Sequence, residues 1–388
     1  MTGIPYGRQS IDASDIEAVV EALKSDFITQ GPAIVRFEEA VAKFTGARHA
    51  VAVCNATAAL HIGALALGLQ PGGRLWTTPN TFVASANCGL YCGASVDFVD
   101  IDPRTYNICL TALSEKLEAA AKTNTLPQVL VPVHFSGQPC QMAEIAALCG
   151  RFGVRVMEDA SHAIGAEYKG QKIGTGAYSE LTVFSFHPVK ILTTGEGGML
   201  LTDNTELYEK LIQLRSHGIT RDPRFMKGIA DGPWYYEQID LGFNYRMTDL
   251  QAALGASQMR RLPQFLVRRR ELAARYNRLL AELPLITPWQ HPDTLSAWHL
   301  YVIQPDPERT SVTRKALYEG LRARSIYPQV HYIPVHTQPW YQQLGFKYGD
   351  FPQSETYYSR ALSLPMYYDL TDADQDRVVA ALKEILEA

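Results

Sequence analysis

Lys190 stands at the end of an apolar, strand-like run and just ahead of a glycine-rich turn, in LTVFSFHPVKILTTGEGG (residues 181–198). Lysine is seldom buried without a partner or a use. An ammonium in a desolvated pocket loses basicity and becomes a neutral nucleophile, able to form a Schiff base with a carbonyl cofactor. A lysine that only lays its stem along apolar surface has the same local sequence. Lys190 alone therefore decides nothing.

Three other junctions carry chemistry of a matching kind. In VAVCNATAAL (residues 51–60) a strand ends at Asn55 and a helix opens through Ala56 and Thr57. Small residues there leave backbone N–H groups at a positive helix end, which suits a phosphate, although plain N-capping by Asn55 would look alike. In TTPNTFVAS (residues 77–85) Phe82 follows a strand and a turn, where its ring can stack on a planar group or simply join the core. In VRVMEDASHAIGA (residues 154–166) a strand delivers Glu158 and Asp159 to its end, with His162 three residues after Asp159. A carboxylate at that place can pair with a protonated pyridine nitrogen and keep the ring an electron sink. Ser185, five residues before Lys190, can offer a hydroxyl to the same phosphate. A phosphate cup, an aromatic cover, an acid for a ring nitrogen and a Schiff-base lysine, in that order, fit pyridoxal 5′-phosphate. Competing cofactors fit worse: Gly174-Thr-Gly176 does not continue as GxGxxG, and neither HExxH nor a GKS/GKT phosphate loop occurs.

These positions need a layered scaffold. Strand-like runs are expected at residues 49–53, 74–78, 96–99, 129–133, 154–157, 181–184 and 199–202. Helical periodicity marks residues 11–23, 33–44, 56–67, 82–91, 142–152 and 206–216. The alternation argues for an α/β domain with a largely parallel sheet, whose strand ends meet on one edge where ligands bind. From residue 248 the pattern changes to a long helical region, 248–283, interrupted or kinked at Pro263. It continues with strand-like 300–303 and 327–330 and helical 314–324 and 373–386, as in a smaller α+β domain. A chain of 388 residues exceeds one core. The reading is therefore a large cofactor-binding domain over residues 1–250 and a small C-terminal domain over 251–388.

Composition narrows the class. With 46% hydrophobic residues, 20% charged ones and a net charge of −4, the chain looks like an ordinary soluble protein without a nucleic-acid partner. The basic run RRLPQFLVRRREL (residues 260–272) has helical spacing and reads as a solvated helix face. Six scattered cysteines (Cys54, Cys88, Cys92, Cys109, Cys140, Cys149) form no CxxC pair and suggest thiols in a reducing, cytoplasmic compartment, with no metal site. No stretch is long and apolar enough to suggest a membrane span, and the start MTGIPYGRQS does not read as a signal peptide.

SFHPVK, TTGEGG, EDASHA, RSHGI (residues 215–219) and NYRMTDLQAALG (residues 244–255) together resemble the DegT/DnrJ/EryC1/StrS family of nucleotide-sugar aminotransferases over essentially the whole chain. Within it, Tyr6, FITQGP (27–32), SHAIGAEY (161–168), WHLYVI (298–303), PQVHYIPV (328–335) and YQQLGF (341–346) are similar to the pseudaminic acid branch. The resemblance implies a fold-type I transferase dependent on pyridoxal phosphate, acting on a UDP-4-keto-6-deoxy sugar with L-glutamate as donor. It implies that Lys190 is the Schiff-base lysine, that Asp159 pairs with the pyridine nitrogen and that His162 lies beside the ring oxygen. Phe82 would stack on the ring, and Asn55, Ala56, Thr57 and Ser185 would hold the phosphate. Asn244 would reach the phosphate of a neighbouring subunit, which makes the protein a homodimer with shared active sites. Tyr6, Asp26, Phe27, Ile28, Thr29, Gln329, Val330, His331 and Tyr332 match positions that contact the nucleotide-sugar. Many relatives carry Ser-Gly-Thr where this chain has Asn55-Ala56-Thr57, a change that keeps the backbone N–H. Relatives with histidine at position 190 are dehydratases, and this chain keeps lysine. A lyase or desulfurase on the same fold would need an added acid or a cysteine-bearing loop, which the sequence does not offer. A non-catalytic ligand-binding protein would have no need of the lysine, aspartate and histidine together.

Overall fold

In the computed structural model, which describes residues 3–387, the strand-like runs come together in one seven-stranded sheet. In chain order its strands are β1 (His49–Val53), β2 (Arg74–Thr77), β3 (Ser95–Phe98), β4 (Val129–Val131), β5 (Arg155–Asp159), β6 (Leu181–Ser185) and β7 (Gly198–Thr202). Across the sheet they follow the order β1-β7-β6-β5-β4-β2-β3. Neighbours are parallel except β7, which runs antiparallel to both β1 and β6. The sheet is thus mostly parallel with one reversed strand. Its inner strands are largely apolar on both faces, as a sheet covered by helices on each side requires, and only the edge strand β3 alternates.

Alternate residues of one strand feed two different cores. Val51 and Val53 join a cluster with α3 (Ala56–Ala66), α4 (Ala84–Tyr91) and the later helix Thr205–Arg215. Ala50 and Ala52 join the opposite cluster, with α1 (Ala13–Lys24), α2 (Pro32–Thr45), α5 (Leu110–Thr123) and α6 (Met142–Phe152). The sequence reading passed over α5, whose buried stripe is only Leu113, Leu117 and Ala120.

With Thr205–Arg215 as α7, the next helix, α8, spans Asp249–Leu279. A capping box between Thr248 and Gln251 opens it. Pro263 lies inside α8 without breaking it, contrary to the expected interruption. Leu262, Phe265 and Leu266 around the proline are all buried in the large core, and this packing offsets the one lost backbone donor. Farther along, Leu272, Ala273 and Tyr276 belong to the core of the second unit. One helix therefore serves both cores, and the transition falls within α8, beyond the boundary expected near residue 250.

The second unit holds a small antiparallel sheet of β8 (Leu285–Ile286), β9 (Tyr301–Pro305) and β10 (Leu362–Leu364), with helices α9 (Arg314–Ala323) and α10 (Asp372–Glu387). A short N-terminal strand, Ile4–Pro5, pairs in parallel with Ile326–Tyr327, and Ile4 is buried in this core. Ile4 and Pro5 therefore join the C-terminal unit and not the large domain in which residues 1–250 are expected. No helix of the described residues is long and apolar enough to cross a membrane.

The register sets the site. Gly198 at the start of β7 pairs with Val53 on one side and Ser185 on the other, and Asp159 pairs with Val183. The carboxyl ends of β1, β5 and β6 and the beginning of the reversed strand share one edge.

Candidate active site

A cavity of about 490 Å³ opens at that edge. Of the residues singled out from the sequence, Tyr6, Asn55, Ala56, Thr57, Phe82, Asp159, His162, Ser185, Lys190, His331 and Tyr332 line it together. Asp26, Phe27, Ile28 and Thr29 do not: they are exposed beyond α1, where Thr29 bridges to Thr248. Asn244 is exposed and bridges to Ser216, and Gln329 and Val330 flank the cavity without lining it.

At the cup, Asn55 is the N-cap of α3, its side chain accepting from the Ala58 N–H at 2.8 Å. The N–H groups of Ala56 and Thr57 belong to the first turn, where no intrahelical partner exists. Ser185 reaches the same place because β7 lies between it and β1. That closeness demands a glycine: a Cβ on residue 198 would lie 2.5 Å from the Asn55 carbonyl carbon and 2.6 Å from the Ala56 nitrogen.

Lys190 sits on the loop that joins β6 to β7. Its N–H donates to the His187 carbonyl at 2.9 Å, and Ile191 and Leu192 behind it are buried. Burial brings the Lys190 amine down to about 8, against the opposing pull of Asp159. Glu158 and Asp159 are adjacent on β5 and so face opposite sides of the sheet. Glu158 turns away from the cavity to His134, at 2.7 Å. Asp159 faces the cavity. Its Oδ2 accepts the Ser85 hydroxyl at 2.6 Å and its Oδ1 the Ser161 N–H at 3.1 Å. It is buried, yet no cationic side chain is ion-paired to it among the described residues.

The remaining wall is imidazole and phenol. His162 Nε2 and the Tyr332 hydroxyl lie 3.1 Å apart, while the buried Nδ1 of His162 has no partner. The His299 ring lies 4.4 Å from that of His162, and Tyr6 packs 5.2 Å from His331. Burial and then the nearby Lys190 charge hold His162 well below its ordinary value and bring His331 down to about 3. His299 is lowered by burial, then by His162 and Lys190. Burial pushes the Tyr332 phenol up, so it stays protonated. His299, Ser85 and Thr81 were not singled out from the sequence. His299 lies within WHLYVI, and Arg269 of α8 steadies it by donating to the carbonyls of Trp298 and His299 at 3.2 and 3.3 Å.

The donor set fits pyridoxal phosphate. Asp159 lacks a cation, which a pyridinium would supply. The free Nδ1 of His162 suits a phenolic oxygen, and the cup N–H groups with Ser185 suit a phosphate. The described residues contain no cluster of His, Cys, Asp or Glu that would hold a metal.

The profile of the DegT/DnrJ/EryC1/StrS aminotransferase family matches residues 9–383. The chain is 43% identical over 387 residues to the spore coat polysaccharide biosynthesis protein SpsC of Bacillus subtilis, covering 99% of this chain and 97% of that protein. Among solved structures it is similar to Helicobacter pylori PseC, an aminotransferase involved in the biosynthesis of pseudoaminic acid. That likeness has a TM-score of 0.89 at 31% identity and covers all of both chains. Spr1654 of Streptococcus pneumoniae in its PLP-form is 25% identical, with 99% of each chain covered and a TM-score of 0.88.

Two outcomes follow from this geometry. Acetylation of Lys190 in the cofactor-free protein, read by peptide mass spectrometry, should speed up with pH and level off above about 8, where the amine is neutral. A rate still climbing at the pH of an ordinary lysine would contradict the depressed basicity. Gly198→Ala should weaken pyridoxal phosphate binding by at least about tenfold (~1.4 kcal/mol) while affecting pyridoxal less. Fluorescence titration of both ligands checks this, and equal losses for the two would mean that the cup is not where the strain falls.

Proposed function

We propose, since the chain belongs to the DegT/DnrJ/EryC1/StrS family of sugar aminotransferases that depend on pyridoxal phosphate, that it moves an amino group from L-glutamate to the C4 ketone of a UDP-linked 4-keto-6-deoxy-N-acetylhexosamine. The product would be UDP-4-amino-4,6-dideoxy-N-acetyl-β-L-altrosamine, a pseudaminic acid precursor. The observation that carries the chemistry is an amine of lowered basicity facing a buried carboxylate that lacks a cation, in one cavity. The sugar rests on full-length similarity to PseC.

When bound, pyridoxal phosphate supplies an electron sink for charge released next to nitrogen. Asp159 would hold the ring nitrogen protonated, and His162 would meet the ring oxygen. Asn55, Ala56, Thr57 and Ser185 would hold the phosphate, and Phe82 would stack on the ring. Lys190 takes the proton from the α-carbon of glutamate in the first half-reaction and returns a proton to the sugar C4 side in the second. His162, His299 and His331 stay neutral beside Lys190 and do not compete with its amine for the proton. Tyr6, His331 and Tyr332 line the cavity and would meet the nucleotide-sugar, with Gln329 and Val330 beside them. Asp26, Phe27, Ile28, Thr29 and Asn244, exposed on one chain, would reach the cavity of a second copy, so the working unit is a homodimer. A different UDP- or dTDP-linked 4-keto sugar is the second reading, favoured by the 43% identity to SpsC, a spore coat polysaccharide biosynthesis protein.

A panel of nucleotide-linked 4-keto sugars with glutamate, with products read by NMR, tests the assignment. The best kcat/KM is expected for UDP-2-acetamido-2,6-dideoxy-β-L-arabino-hexos-4-ulose; preference for another sugar replaces the pseudaminic reading with the second one. Lys190→Ala should lose the visible cofactor absorbance and at least about a thousandfold in turnover. Near-normal turnover in that variant would remove Lys190 from the chemistry.

A further inference from the structure

Ser85 and Thr81 are buried beside the cavity, and neither has a role in the reading above. Ser85 lies in the first turn of α4, and its hydroxyl donates to Asp159 Oδ2 at 2.6 Å. Thr81 Oγ1 lies 2.7 Å from Ser85 Oγ. A carboxylate only accepts hydrogen bonds, so the Ser85 proton is committed to Asp159. The oxygen of Ser85 can then only accept from Thr81, and the order Thr81 to Ser85 to Asp159 is forced. Between these hydroxyls stands Phe82, whose carbonyl accepts the Ser85 N–H at 3.2 Å. α4 has no side-chain N-cap, so the contact between Thr81 and Ser85 is the side-chain tie across its entry turn.

We infer that Thr81 and Ser85 form a directed hydroxyl relay that positions Asp159 and fixes the turn of Phe82 to the same carboxylate. A hydrogen bond from a hydroxyl to a carboxylate is among the stronger kinds and holds the acceptor oxygen in place. With Ser85 on one oxygen and the Ser161 N–H on the other, the rotation of the carboxylate is fixed and its remaining acceptor sites stay available to a ligand N–H. Both residues act through Asp159 and are positioning residues. The inference rests on the proposal that Asp159 meets the cofactor's ring nitrogen.

The test is the pH midpoint of the visible absorbance change of the holoenzyme. Without the Ser85 donor, the Asp159 carboxylate is free to turn out of line with the ring nitrogen and holds that nitrogen's proton less firmly. With less positive charge on the ring, the nitrogen joined to Lys190 keeps its proton to higher pH. Ser85→Ala should therefore raise the midpoint by ~0.5–1 unit and lower kcat about tenfold, with little change in either KM. Thr81→Val should move the midpoint in the same direction by less, and Ser85→Thr should restore it. Asp159→Asn is the reference and should move it furthest. An unchanged midpoint in Ser85→Ala, with Asp159→Asn shifted, overturns the relay alone. If Asp159→Asn leaves the midpoint where it was, the placing of Asp159 fails and the relay with it. Should Ser85→Ala not fold, Thr81→Val decides by the same criterion, since it keeps the shape of the threonine side chain.

Discussion

The start of β7 is wedged between the ends of β1 and β6 so tightly that residue 198 has no room for a Cβ. Much of the cavity follows from this contact. Because β7 alone runs against its neighbours, its first residue lies beside the last residues of theirs. The chain leaving Ser185 must therefore turn over the edge and come back to it within a short loop. Lys190 rides on that loop, lining the cavity, and Ile191 and Leu192 directly after it are buried. A reversed strand in an otherwise parallel sheet thus places a phosphate cup and a nucleophilic amine side by side. The residues involved are far apart in sequence.

The electrostatics are unusual for a polar site. His162, His299, His331 and Tyr332 stand around Asp159 and Lys190, and burial keeps these imidazoles neutral and this phenol protonated. The cavity therefore offers hydrogen-bond donors and acceptors without a crowd of like charges. A ring that gains and loses charge there meets a wall of imidazoles and a phenol whose own protonation stays fixed, while Lys190 alone among these groups moves a proton.

Strand ends made much of this legible in the sequence. Lys190, Asp159 and Asn55 each follow a short, nearly continuous apolar run, and such runs locate the ends of buried strands well. Boundaries decided by tertiary packing were harder to see. Pro263 read as a break because a proline removes a backbone donor, whereas the burial of Leu262, Phe265 and Leu266 carries α8 through it. Ile4 and Pro5 gave no hint that they would pair with a strand more than three hundred residues away. Ser85 was invisible for another reason: a serine near a helix start is ordinary, and its meaning lies in a carboxylate from a different strand. Asp26, Phe27, Ile28, Thr29 and Asn244 belong to the site only through resemblance, since a single chain leaves them at the surface.

The two neighbouring acids of β5 have a consequence for folding fidelity. Glu158 finds His134 on one face of the sheet, while Asp159 finds Ser85 and the Ser161 N–H on the other. A slip of the strand by one residue would exchange the faces. The longer acid would then enter the cavity edge and the shorter one would fall short of His134, leaving buried carboxylates without their donors. The cost of an unpaired buried charge exceeds what the apolar residues of so short a strand can discriminate between registers. The same pair that divides chemistry from structure therefore also proofreads the alignment of the central strand, and it makes single-residue insertions or deletions within β5 intolerable even where the hydrophobic pattern would survive them.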